Sequence, residues 1–126
     1  MFMWHVVIVA IGGAIGSVLR HFVNLFSLRL AGANFPWGTL AVNISGSLAM
    51  GLFIGWLVSR SGSQELRLFV ATGVLGGFTT FSAFSLDFAT LWERGAVAEA
   101  LSYALGSVLI SFAALFVGLW LARSFA

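Results

Sequence analysis

Apolar residues fill four long stretches of the chain, separated by short segments rich in charged and turn-forming residues. The stretches cover about residues 3–25, 37–59, 66–91 and 96–122. Because roughly 20 apolar residues let a helix cross the hydrocarbon core of a bilayer, each stretch is long enough to span a membrane. Pro36, the only proline, precedes the second stretch and is typical of a helix start. The pattern predicts an all-α integral membrane protein with four transmembrane helices, folded as one domain over residues 1–126.

Composition narrows the class of protein further. Sixty per cent of the 126 residues are hydrophobic and only 8 % are charged, whereas a soluble domain carries about 25 % charged residues. So few charges cannot cover a soluble globule, which excludes a soluble enzyme, a disordered chain and a nucleic-acid binder. Cysteine is absent, which removes disulfides and thiolate metal sites.

The six arginines do not favour one orientation in the membrane, although an excess of positive charge normally marks the cytoplasmic loops. If four spans cross the membrane in alternating directions, three arginines lie on each side. Arg60, Arg67 and Arg123 lie on one side, and Arg20, Arg29 and Arg94 lie on the other. Either other features fix a single orientation, or the chain inserts both ways. If it inserts both ways, an antiparallel homodimer is natural, since a two-fold axis in the membrane plane relates the two copies.

Glycines at four-residue spacing predict close packing between helices, because small residues let backbones approach. Three such pairs occur: Gly12 with Gly16, Gly51 with Gly55, and Gly73 with Gly77. Each pair is a weak signal by itself. Fifteen glycines in so short a chain nevertheless indicate tightly packed spans.

Two spans carry neutral polar residues along one helical face. The second span has Thr39, Asn43 and Ser47, and the fourth has Tyr103, Ser107 and Ser111, each set at i, i+4 and i+8. One interpretation is that these groups hydrogen-bond between helices and hold them together. The other is that they line a pathway for a small hydrophilic solute, which two tracks in one small protein favour.

The middle of the third span disfavours a continuous helix. Gly76 and Gly77 are followed after one residue by Thr79 and Thr80, and this run predicts a break. It is either a kink at a close helix crossing or a site where freed carbonyls hold a hard cation such as Na⁺. The next residues include Phe81 and Phe84, three apart and so neighbours on a helix. Their ring edges would give an anion a weakly electropositive surface.

Two charged residues lie within the predicted spans. Arg20, near the end of the first span, could extend to the membrane interface or sit in a wet vestibule and attract anions. Asp87 is the one acid well inside a span, where it could pair with an arginine or cap a helix break.

Three segments resemble the Fluc (CrcB-type) fluoride channels. The most specific is Gly-Gly-Phe-Thr-Thr-Phe-Ser-Ala-Phe-Ser at residues 76–85. Gly-Gly-Ala-Ile-Gly-Ser-Val-Leu-Arg at 12–20 and Gly-Thr-Leu-Ala-Val-Asn at 38–43 also match. The chain departs from the family pattern at Asp87, where Glu is usual, and at Ala83, where Thr is frequent, so the resemblance assigns no role to either position.

The resemblance implies a dual-topology antiparallel homodimer with two fluoride pores. By motif position, the implied pore residues are Asn43, Phe81, Phe84, Tyr103, Ser107 and Ser111. Arg20 would be the vestibule arginine. A structural Na⁺ at the dimer interface would be held by the backbone carbonyls of Gly76 and Thr79. The implied function is passive export of fluoride that entered as neutral HF, which lowers fluoride toxicity, from a bacterial cytoplasmic (inner) membrane.

Two other functions fit a four-helix membrane protein of this size. A proton-coupled multidrug exporter needs a membrane-embedded carboxylate, and only Asp87 could serve. A structural membrane subunit would use the same glycines and serines for packing alone. An enzyme is disfavoured, because the sequence has no candidate pair of nucleophile and base and no metal-ligand cluster.

Overall fold

The computed structural model describes residues 1–125 as a bundle of four long helical spans. The first and second spans are α1 (Phe2–Ala31) and α2 (Trp37–Ser59), and the fourth is α6 (Val97–Ser124). The third span, Gln64–Glu93, is built from four pieces: α3 (Gln64–Arg67), a π-helical segment (Leu68–Leu75), α4 (Gly76–Phe78) and α5 (Phe81–Glu93). All four spans are long and apolar enough to cross a membrane, which confirms the predicted all-α architecture with a broken third helix.

The first helix is longer than the apolar stretch that predicts it. It continues past Leu25 to Ala31, so that Arg29 lies in its last turn rather than in the following loop. Gly32 ends it with a φ of 77° and donates its backbone N–H to the Leu28 carbonyl at 3.0 Å. Only glycine adopts this left-handed conformation without strain, which explains why the helix stops here.

The break in the third span falls at Thr79 and Thr80, after the two glycines. Both threonines have extended backbones, with ψ angles of 159° and 122°. The Thr79 hydroxyl donates to the Leu75 carbonyl at 3.1 Å, and the Thr80 hydroxyl accepts from the Ala83 backbone N–H at 3.1 Å. Each threonine therefore caps one half of the span, because a hydroxyl can replace a backbone partner at a helix end.

The predicted glycine pairs pack the spans together within a single chain. A Cβ atom on Gly12 would stand 2.5 Å from the Phe69 carbonyl oxygen, and one on Gly77 would stand 2.6 Å from the Gly13 carbonyl oxygen. A Cβ atom on Gly118 of α6 would stand 2.5 Å from the Leu48 oxygen of α2. The first half of the third span therefore packs on α1, and α2 packs on α6, at distances that only glycine allows.

Two side-chain hydrogen bonds show which loops share an end of the bundle. The Trp4 indole N–H donates to Glu65 Oε2 at 2.8 Å, which brings the start of α1 next to the start of the third span. Arg94 Nη2 donates to the Asn34 carbonyl at 2.6 Å, which joins the first and third loops at the other end. The four spans therefore run alternately up and down.

Candidate functional site

A cleft of about 340 Å³ lies beside the break in the third span, between α2, α5 and α6. We call it the break cleft. All of its lining residues are uncharged: Asn43, Gly46, Ser47, Met50, Thr79, Thr80, Phe81, Phe84, Ser107, Val108, Ser111, Phe112 and Leu115. It brings together five of the six pore residues implied by the resemblance; Tyr103 is not among those that line it.

Asn43 forms a two-point clamp on the broken segment. Its Nδ2 donates to the Thr80 carbonyl at 3.0 Å, and its Oδ1 accepts from the Thr80 backbone N–H at 2.8 Å. Thr80 has left the helix, so its backbone groups need partners from another element. A carboxamide suits this task because it holds a donor and an acceptor side by side, and its second Nδ2 hydrogen remains available.

Two serines on α6 offer hydroxyl groups to the break cleft. The Oγ atoms of Ser107 and Ser111 are buried and have no hydrogen-bond partner among residues 1–125. Both residues line the cleft, one helical turn apart. Because an unsatisfied buried hydroxyl costs free energy, each of these Oγ atoms favours a further hydrogen-bond partner.

Aromatic rings continue from the cleft into the core of the bundle. The Phe81 and Phe84 centroids are 5.5 Å apart, and Phe84 lies 5.1 Å from Tyr103. Phe81 remains 76 % exposed, whereas Tyr103 is 1 % exposed. The Tyr103 hydroxyl donates to Asp87 Oδ2 at 2.9 Å. Tyr103 therefore packs against Phe84 from the core of the bundle, and Asp87 is held there by the Tyr103 hydroxyl.

Arg20 reaches the break from α1. It lies well before the helix end at Ala31, and its Nε donates to the Gly77 carbonyl at 3.1 Å. Gly77 belongs to the last helical turn before the break, where carbonyl groups lack helical partners. A cation at a helix C-terminus is favourable, so Arg20 stabilises the end of α4 from the neighbouring helix.

The two carbonyls assigned to Na⁺ by the resemblance are available for a ligand. None of the side-chain bonds, and none of the backbone bonds outside the helices, reaches the carbonyl oxygen of Gly76 or Thr79 among residues 1–125. The Gly76 oxygen would ordinarily accept from the Thr80 N–H, but that group is bonded to Asn43. Hard cations such as Na⁺ bind freed backbone carbonyls of this kind, so the donor set fits. In the described part of the chain, no cluster of three or more metal-ligating side chains offers another metal site.

Comparison with known families agrees with the architecture. The family model described as CrcB-like protein, Camphor Resistance (CrcB), matches residues 7–119. The chain belongs to the CrcB family. The match runs from the first span into the fourth, so the break cleft lies within it.

Several similar proteins carry the name Fluoride-specific ion channel FluC. One from Mesorhizobium japonicum is 64 % identical over 122 residues, which cover 97 % of this chain and 98 % of the relative. Others from Chelativorans sp. and Agrobacterium fabrum are 59 % and 56 % identical over 123 residues, with the same coverage of both chains. The likeness therefore extends over the whole of the membrane domain.

Sequence reasoning missed the partner of Asn43. The sequence marks Thr80 only as part of the break, yet its backbone is what the Asn43 carboxamide binds. The position of Asn43 on the second span and the Thr-Thr pair in the third were both visible in the sequence. Nothing in a linear pattern shows that residues 37 positions apart face each other.

Proposed function

We propose that this protein is a fluoride-selective channel that lets fluoride leave the cell passively and so lowers fluoride toxicity. The observation that supports this most directly is the pair of unpartnered hydroxyls, Ser107 and Ser111, in an uncharged cleft beside the break. Relatives more than 50 % identical over nearly the whole chain carry the name of a fluoride-specific channel. The protein therefore acts in transport rather than in catalysis, as a multi-pass integral membrane protein, and we place it in the bacterial cytoplasmic (inner) membrane.

The chemistry of the break cleft suits a small, strongly hydrated anion. Fluoride gives up its water only if other donors replace it, and two serine hydroxyls and the second Nδ2 hydrogen of Asn43 are such donors. The edges of the Phe81 and Phe84 rings carry partial positive charge. Conduction requires binding that is strong enough for entry and weak enough for exit. A cleft with donors but no fixed cation meets both requirements, and Arg20 beyond it would attract anions towards the vestibule.

A second copy of the chain would complete the site. Phe81 is 76 % exposed beside the break, so one chain leaves this edge of the cleft uncovered. The resemblance also assigns only two carbonyls of one chain, those of Gly76 and Thr79, to a structural Na⁺. Around a two-fold axis in the membrane plane, two antiparallel copies would offer four carbonyls to one ion. We therefore assign the protein to an antiparallel homodimer with Na⁺ at its interface.

Liposome efflux tests this function. Purified protein is reconstituted into liposomes loaded with sodium fluoride or sodium chloride, and efflux is followed with ion-selective electrodes. We expect fast fluoride efflux and negligible chloride efflux, because we propose that the phenylalanine-lined passage of the assembled channel is too narrow for the larger halide. Absence of fluoride efflux from verified dimers contradicts the proposal.

The proton-coupled exporter is disfavoured by the position of its only candidate carboxylate. Asp87 accepts a hydrogen bond from the buried Tyr103 at 2.9 Å, whereas an exporter needs a carboxylate that exchanges its proton for a cation. We expect Asp87→Asn to retain most of the fluoride efflux, since the amide oxygen still accepts from Tyr103. Drug-resistance assays give the complementary readout, by comparing cells that express the wild-type protein with cells that express Asp87→Asn. Resistance that Asp87→Asn abolishes would support the exporter.

A further inference from the structure

A second cleft, of about 460 Å³, adjoins the break cleft towards the end of the bundle that holds the second loop. We call it the Arg67 cleft. Its lining residues come from α2, α6 and the first half of the third span: Met50, Ile54, Arg67, Ala71, Thr72, Leu115 and Leu119. Met50 and Leu115 also line the break cleft. The two clefts therefore meet at these side chains and follow one groove along α2 and α6.

Arg67 is an exposed cation at the outer end of this groove. Its guanidinium takes part in none of the side-chain hydrogen bonds found among residues 1–125, whereas Arg20 and Arg94 each donate to a backbone carbonyl. The nearest acid in the sequence, Glu65, accepts instead from the Trp4 indole at 2.8 Å. The positive charge of Arg67 is thus exposed and has no side-chain hydrogen-bond partner among residues 1–125.

The π-helical segment places a hydroxyl, that of Thr72, on the wall of the cleft that Arg67 also lines. Residues five apart in an ordinary α-helix point about 140° away from each other. A π-helix is wound more loosely, with bonds from i to i+5, so residues five apart lie nearly above one another. Arg67 and Thr72 are five apart, and both line the cleft. The unusual helix therefore combines a cation and a hydroxyl donor on the wall of the same cleft.

We propose that the Arg67 cleft is an anion-capture site that supplies the break cleft with fluoride, Arg67 attracting the ion and Thr72 donating to it. This inference rests on the proposed fluoride channel. A cation at the mouth of a cleft with low-dielectric walls focuses the electric field and raises the local anion concentration. The effect concerns capture, so it matters at low fluoride concentration and vanishes once the pathway is saturated.

The absence of cysteine from the chain allows a direct test of the charge at this position. Arg67→Cys is reconstituted into liposomes of uncharged phosphatidylcholine, and fluoride efflux is measured over a range of fluoride concentrations at low ionic strength. The protein is then modified with a thiosulfonate reagent that carries either a trimethylammonium or a sulfonate group. Arg60→Cys is the matched control, because Arg60 lies at the same end of the bundle but lines a different cleft that shares no residue with these two.

For Arg67→Cys we expect efflux about fivefold slower than wild type at low fluoride, converging with wild type at high fluoride. The ammonium reagent restores the rate and the sulfonate reagent lowers it further, while Arg60→Cys responds to neither. The proposal is overturned if Arg67→Cys equals wild type at low fluoride, is slower by the same factor at all concentrations, or responds equally to both reagents. In the last two cases Arg67 would act through shape rather than charge.

Two further measurements keep the test decisive if Arg67→Cys does not insert. Arg67→Lys retains the charge and should keep most of the wild-type efflux at low fluoride; a loss as large as the fivefold expected for Arg67→Cys contradicts the proposal. Raising ionic strength with a non-permeant salt should slow wild-type efflux at low fluoride, because ions screen the field of an exposed charge; an unchanged rate contradicts the capture site. Failure of the proposed function itself is distinguishable, since wild-type protein would then pass no fluoride under any of these conditions.

Discussion

At the scale of single residues, Asn43 has two tasks: it holds the broken segment of the third span, and it lines the break cleft. Its carboxamide bonds to both backbone groups of Thr80 and so takes the place of the helical hydrogen bonds that the break removes. The same side chain lines the break cleft and keeps one N–H free for a solute. Loss of Asn43 should therefore damage both the architecture of the break and the passage of the ion.

We expect Asn43→Ala to slow fluoride efflux at least tenfold and to lower the apparent melting temperature in detergent. The stability loss corresponds to about 1–3 kcal/mol, because the Thr80 N–H and carbonyl lose their partners. Ser45→Ala on the same helix is the control: its exposed hydroxyl bonds only to the Ala41 carbonyl of its own helix, at 2.6 Å. If Asn43→Ala melts like wild type, the two-point clamp does not hold the break.

Replacing Ser107 and Ser111 should slow fluoride efflux without the loss of stability that we expect for Asn43→Ala. Since their hydroxyls have no protein partner among residues 1–125, replacing both with alanine removes an unsatisfied polar group rather than a hydrogen bond. We expect the double variant to melt at or above the wild-type temperature while fluoride efflux falls strongly. A large drop in melting temperature would mean instead that these hydroxyls hold helices together.

At the scale of elements, threonines break the third span, whereas glycines set its position against α1. Threonines terminate the two halves by capping, as the Thr79 and Thr80 hydroxyl bonds show. The glycines remain helical and bring the first half against α1, where Gly12 and Gly77 leave no room for a Cβ atom. Close backbone contact then fixes where along α1 the freed carbonyls lie.

Adjacent glycines on α1 provide a matched test of this packing. A Cβ atom on Gly12 would stand 2.5 Å from the Phe69 carbonyl oxygen, whereas one on Gly13 would meet nothing within 4 Å. We expect Gly12→Ala to lower the apparent melting temperature and the fluoride efflux. Gly13→Ala should be neutral or stabilising by up to about 1 kcal/mol, because alanine favours the helix. Equal behaviour of the two variants would contradict the close packing of α1 on the third span.

At the scale of the whole molecule, one chain leaves the break cleft open along one edge. The break cleft lies at an edge where Phe81 remains exposed, and the resemblance assigns only two carbonyls of one chain to Na⁺. Both features are explained if the functional unit contains two copies. The arginines give little bias in orientation: with Arg20 engaged inside the bundle by Gly77, Arg29 and Arg94 lie at one end, and Arg60, Arg67 and Arg123 lie at the other.

Removing Na⁺ tests the proposed interface independently of transport. We expect exchange of Na⁺ for N-methylglucamine to lower the apparent melting temperature of the purified protein and to increase its dissociation into monomers. The reason is that four carbonyl dipoles would then face one another without a cation between them. Gel filtration and thermal unfolding in matched buffers give the measurement. If the dimer is unchanged without Na⁺, the ion does not hold the two copies together.

The elements of the fold were readable in the sequence because they depend on local properties. Four apolar stretches predict four spans, since each must satisfy its own backbone hydrogen bonds within lipid. The Gly-Gly and Thr-Thr run predicts a break for an equally local reason, since threonine hydroxyls compete for backbone partners. The glycine spacing predicts the packing faces, and the contacts of Gly12 and Gly77 confirm it.

The pairing of polar groups was decided by the tertiary structure alone. Asn43 binds Thr80, Arg20 binds Gly77 and Tyr103 binds Asp87, and each pair joins two different helical spans. A sequence shows which groups need partners, because burial makes an unpaired polar group costly. Which partner each one meets depends on helix rotation and on the exact position of the break. Those are set by close packing over the whole bundle, which acts between residues far apart in the chain.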